Sequence, residues 1–132
     1  MKRKALALAL ALKVVLLPSG AMAEGVLGTW RTEATDQGHL DIQISACGEA
    51  LCGKIVRARD PQGNAGPFKH IGRQMIWGMS PTSQPNAWDG GKIWDPISDR
   101  TFNSRMELSN AGLMVSGCVL GICRNQRWKR VP

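Results

Sequence analysis

From residue 24 onward, hydrophobic and polar positions alternate with a period of two, and no stretch sustains a period of 3.6. The pattern therefore predicts β-strands. The clearest run is His39 to Ala46, where Leu40, Ile42, Ile44 and Ala46 alternate with His39, Asp41, Gln43 and Ser45. Leu27 to Glu33 precedes it across an Asp36-Gln37-Gly38 turn, and Gly53 to Arg59 follows it. Two long connections rich in Gly, Pro and Asn, Asp60 to Gly72 and Gly78 to Gly91, flank a short apolar strand, Gln74 to Trp77. Lys92 to Asp95 enters a Pro96-Ile97-Ser98-Asp99 turn, whose aspartates suit backbone capping. Thr101 to Leu108 then returns with Phe102, Ser104, Met106 and Leu108 on one face. After the Ser109-Asn110-Ala111-Gly112 turn come Leu113 to Val119 and Ile122 to Val131.

About eight strands joined by hairpin-length turns predict an all-β fold, a small antiparallel up-and-down barrel. Closing such a meander removes both sheet edges and leaves room inside for side chains or one small ligand. An open sandwich and a five-stranded oligonucleotide-binding barrel are the alternatives.

The first 23 residues read as a signal peptide. Lys2, Arg3 and Lys4 precede an apolar run, Ala5 to Leu17, that only Lys13 interrupts; Pro18-Ser19-Gly20 ends it and Ala21-Met22-Ala23 offers a small-x-small cleavage pattern. Residues 24–132 are then one domain, exported to the periplasm, with no stable membrane anchor once the leader is cut. The formal charge of +7 shrinks with it: four of the 17 Lys and Arg lie in the leader, leaving 13 against 10 acids. That balance gives no case for a nucleic-acid partner.

Four cysteines form two pairs of equal spacing, Cys47/Cys52 and Cys118/Cys123. In an oxidising compartment they are expected as disulfides. Three connectivities are open, and the glycine inside each C-x4-C (Gly48, Gly121) favours local pairing. A tetrathiolate metal site is the rival, although zinc knuckles prefer C-x2-C.

Gly28-Thr29-Trp30 in the first strand and Trp128-Lys129-Arg130 in the last resemble the signature of lipocalin-like (calycin) barrels. There the first tryptophan plugs the closed end under an arginine of the last strand; here Arg130 is the expected partner, with Arg127 as the alternative. A guanidinium on an indole face gains a cation–π contact. More narrowly, the chain resembles the exported bacterial family known as domain of unknown function 2147. The blocks that carry this are Cys47-Gly48 with Leu51-Cys52-Gly53-Lys54-Ile55-Val56, Ile71-Gly72, Gly91-Lys92-Ile93-Trp94-Asp95-Pro96, Leu113 to Cys118, and Arg124 to Val131. The resemblance implies a small periplasmic lipocalin-like barrel without an established activity. Trp94 and Phe102 stand where the family has tyrosines, so any role of those hydroxyls is lost here while buried area is kept.

Chemistry is sparse. His39 and Asp41 lie two apart on a strand and could form a general base for a hydrolase, but no nucleophile accompanies them; the competing reading is two solvated polar residues. Neither a phosphate-binding glycine loop nor metal-ligand spacing occurs, so no cofactor, no metal and no catalytic residue is expected. The favoured function is a non-enzymatic binding module for a small apolar or amphipathic ligand, with Trp77, Trp94, Phe102 and Met106 as its wall. The alternative is a ligand-free envelope protein that meets a protein partner through an exposed patch around Trp88.

Overall fold

The alternation of Leu40, Ile42 and Ile44 turns one face of a nine-residue strand inward, and its neighbours repeat the pattern around a full ring. A computed structural model describes residues 25–132; the leader expected over residues 1–23 lies outside them. The strands are β1 (Gly28–Arg31), β2 (His39–Cys47), β3 (Ala50–Arg59), β4 (Ala65–Gly66), β5 (Gln74–Pro81), β6 (Ala87–Asp95), β7 (Arg100–Ser109), β8 (Gly112–Val119) and β9 (Ile122–Arg130). Eight of them form a closed antiparallel meander, β1-β2-β3-β5-β6-β7-β8-β9 and back to β1. Closure runs through Trp30 opposite Arg130 and Arg31 opposite Lys129. The two-residue β4 is an appendage on β3.

One expected connection is much shorter than the sequence suggested. Gly78 to Gly91 is not a loop: β5 continues to Pro81 and β6 starts at Ala87. Gly78 (φ 67°) and Gly90 (φ 74°) adopt the left-handed backbone of irregularities inside strands, where the ladder shifts register between Trp88 and Gly91. Glycines that looked like punctuation are bends within strands.

One end of the ring is sealed. Trp30, Trp88 and Trp128 are buried there, and the Trp30 indole donates to the Val26 carbonyl at 2.8 Å. The Arg130 guanidinium lies 4.2 Å from the Trp30 ring centre and donates to the carbonyls of Leu27 and Gly25. Above this plug Ile42, Ile44, Ile55, Ile76, Met79, Met106 and Leu113 fill the interior. Packing at Gly53 is so close that a Cβ there would meet the Ile42 and Ile44 side chains at 2.9 Å. The lower barrel is a solid core.

Cys47 and Cys52 bracket the β2–β3 turn at a Cα separation of 5.8 Å, and Cys118 and Cys123 face each other across β8 and β9 at 4.0 Å. Both pairs are therefore local and at disulfide distance. They leave no free thiol among the described residues.

Candidate ligand site at the barrel mouth

The end opposite the plug is open. Strands β1, β3, β6 and β8 deliver their C-terminal ends there, and the segments 32–38, 60–73, 96–99 and 120–121 connect them to their successors. Between these connections lies a cavity of about 180 Å³. Its apolar wall is Leu40, Ala58, Phe68, Met75, Pro96 and Ile97, with His39, Arg59, Glu33 and Gln126 adding polar atoms. Leu40 and Ala58 are direct cross-strand partners. A bulge just below them pairs Ile42 with Ile55 but Asp41 with Arg57, so Val56 is the extra residue that bends β3.

The four residues expected to form a ligand wall are not brought together. Met106 is buried in the solid core, and Phe102 is half-buried on the same inward face. Trp77 is half-buried opposite Lys92, and none of the four borders the mouth cavity. Trp94 is buried from outside the sheet, being paired with exposed Thr101. The Arg73 guanidinium lies 3.3 Å from its ring centre, and His70 packs edge-on at 4.9 Å. The Trp94 indole N–H donates to the Asp99 carboxylate at 2.8 Å. Trp94 thus clamps the β4–β5 connection, which carries Phe68, to the β6–β7 turn, which carries Pro96 and Ile97. It shapes the cavity from behind instead of lining it. Asp95 rigidifies that turn by accepting from the Ile97 N–H at 3.0 Å and the Ser98 hydroxyl at 2.8 Å.

The His39/Asp41 pair does not form. Asp41 is fully buried and accepts instead from Arg31 Nε at 2.9 Å, Arg59 Nε at 3.1 Å and Arg57 at 3.4 Å. The expectation of a solvated aspartate is corrected by its cross-strand neighbours, which roof it with guanidinium groups. Burial alone would raise its pKa; the hydrogen bonds and charges of Arg31 and Arg59 outweigh that and hold the carboxyl below its usual range. His39 keeps a buried Nε2 with no hydrogen-bond partner among the described residues, beside the cavity. Trp88 is 4% exposed and packs opposite Met106, so it offers no exposed indole.

The sequence signal for Leu40 was present in its alternation. Phe68, Met75 and Ala58 carried none, because they meet only once a long connection folds over the barrel mouth.

A closed up-and-down ring of eight strands, with an indole plug capped by an arginine of the last strand, defines the lipocalin-like class of barrels. The chain belongs to the bacterial family described as "Uncharacterized protein conserved in bacteria (DUF2147)", whose profile matches residues 28–130. Among solved structures it is similar to protein HP1028 from the human pathogen Helicobacter pylori, which belongs to the lipocalin family. The two share 14% identity over 80% of this chain and 82% of that one, with a TM-score of 0.63. That likeness establishes the fold alone. No curated protein matches the chain.

Proposed function

We propose that this protein is a periplasmic binding barrel that holds a small apolar or amphipathic molecule at its mouth. The observation that carries the reading is the roughly 180 Å³ cavity above a filled core, apolar on most sides and lined in part by His39, whose buried Nε2 has no hydrogen-bond partner among the described residues. An apolar cavity of about 150 Å³ is enough for a benzene-sized guest, whereas whole drug-sized ligands occupy about 300–1,000 Å³. The enclosed part of the ligand is therefore about one ring or a short alkyl segment, and the remainder projects from the mouth. A polar group on that segment would satisfy His39. Two cysteine pairs closed across hairpins support export to an oxidising compartment.

The test is titration with 1-N-phenylnaphthylamine, a fluorescent apolar probe, into wild type and Ala58→Trp. Ala58→Trp fills the cavity and should weaken saturable binding at least tenfold, with circular dichroism verifying that the variant is folded. Leu40→Ala enlarges the same space and should keep binding. Equal binding by wild type and the folded Ala58→Trp variant would refute the site.

A further inference from the structure

The two ends of the barrel differ in the chemistry of their turns. At the plugged end the connections are polar: Gly48-Glu49, Thr82-Ser83-Gln84-Pro85-Asn86 and Asn110-Ala111. At the mouth lie all five of the large hydrophobic residues that are exposed among the described ones: Ile71, Ile97, Val119, Leu120 and Ile122. Single exposed apolar residues are ordinary, but five gathered on the turns of one end form a surface that water disfavours.

The β8–β9 turn is the extreme case. Its two connecting residues are Leu120, which is 97% exposed, and Gly121. Both have left-handed backbone (φ 51° and 77°), the pattern of a tight turn that normally selects Asn-Gly or Asp-Gly. A leucine there is penalised by its backbone conformation and again by its full exposure. One rung below, the Cys118–Cys123 pair ties the hairpin together, so the tip is a braced projection.

Charge accompanies each apolar tip. Ile71 lies between Lys69 and Arg73, Ile97 is three residues from Arg100, and Ile122 is two residues from Arg124. No acid follows Glu107 anywhere in the chain, so the β8–β9 hairpin carries cations only. Acids at this end lie on the other connections: Asp60 accepts from the Gln62 and Asn64 N–H groups, Asp95 from Ile97 and Ser98, Asp99 from Trp94 and Glu33 from the Arg127 N–H of β9, while Asp36 is exposed in the β1–β2 connection.

From these features we infer that the mouth end docks reversibly onto an anionic phospholipid bilayer. Leu120, Val119, Ile122 and Ile97 enter the boundary between headgroups and acyl chains, and Arg124, Arg100 and Lys69 meet the lipid phosphates. The β8–β9 tip, apolar at Val119, Leu120 and Ile122 with Arg124 beside them and no acid on the hairpin, fits that surface, which is apolar beneath and negative above. Docking in this orientation sets the cavity opening against the lipid. The inference rests on the turns alone and holds whether or not the cavity carries a ligand.

Vesicle sedimentation tests it, using protein purified after export and comparing wild type with Leu120→Asp and with the double variant Ile97→Asp/Leu120→Asp. Both substituted sites are exposed, so thermal midpoints should stay within a few degrees of wild type. Wild type should co-sediment with vesicles of phosphatidylethanolamine and phosphatidylglycerol, and at least tenfold more weakly with phosphatidylcholine alone. Leu120→Asp should lose at least tenfold in affinity for the anionic vesicles, and the double variant should lose more. Equal sedimentation of wild type and the variants would overturn the inference, as would no binding by wild type. Sedimentation velocity supplies a third outcome: a wild-type dimer that Leu120→Asp dissociates, without vesicle binding, would assign the tips to a second copy of the chain and also overturn it.

Discussion

Asp41 shows how a single position can be misread from alternation and then explained by its neighbours. Its parity with His39 and Gln43 pointed to solvent, yet it is fully buried under Arg31, Arg57 and Arg59, which stay 33%, 50% and 20% exposed. Nothing in β2 itself announces this; the arginines come from β1 and β3, and only the register brings them together. Removing one partner of a fully buried ion pair costs about 3–5 kcal/mol, but guanidinium groups that keep part of their water lose less. Asp41→Asn should therefore destabilise the barrel by about 2 kcal/mol at neutral pH, measured by urea unfolding. The folded-state pKa lies below the ordinary aspartate value of 3.8, so the carboxylate's contribution is complete above that value and is lost as pH falls through the folded one. The gap between wild type and Asp41→Asn should shrink on going from about pH 7 to about pH 3. A gap that stays constant would mean that Asp41 acts by shape and not by charge.

At the level of elements, the strands were readable where alternation was clean, as in β2, β7 and the β8–β9 hairpin. They were obscured where glycines bend a strand without ending it, as at Gly78 and Gly90. The local cysteine pairing was favoured by spacing, and hairpin geometry places both pairs within reach. Closing so short a loop is worth about 2 kcal/mol in the chain-entropy description. Cys118→Ser/Cys123→Ser should lower unfolding free energy by about that amount, and reductant should then shift the variant less than wild type. Equal shifts with reductant would show that the β8–β9 bridge adds nothing to stability.

For the whole molecule, barrel closure was legible from two short motifs, Gly28-Thr29-Trp30 and Trp128-Lys129-Arg130. Trp30 and Arg130 meet across the β1–β9 seam that completes the ring. The place of the cavity was not legible. Strand residues of the inward face suggested a central pocket, but the core is filled with isoleucine and methionine, and the apolar cavity lies where the connections meet. Trp94 illustrates the difference: its residue type suggested a ligand platform, while its surroundings make it the clamp behind the mouth. In this lipocalin-like ring the cavity lies at one end, and the connections decide its shape.

The central claim, that the barrel carries a small molecule at its mouth, is tested most directly by native mass spectrometry of the protein purified without reduction from the cells that make it. Wild type and Ala58→Trp would be compared before and after solvent extraction. The account predicts a discrete added mass on wild type that extraction removes and that the folded Ala58→Trp variant lacks. A bare wild-type mass, together with no cavity-dependent uptake of the fluorescent probe, would contradict it.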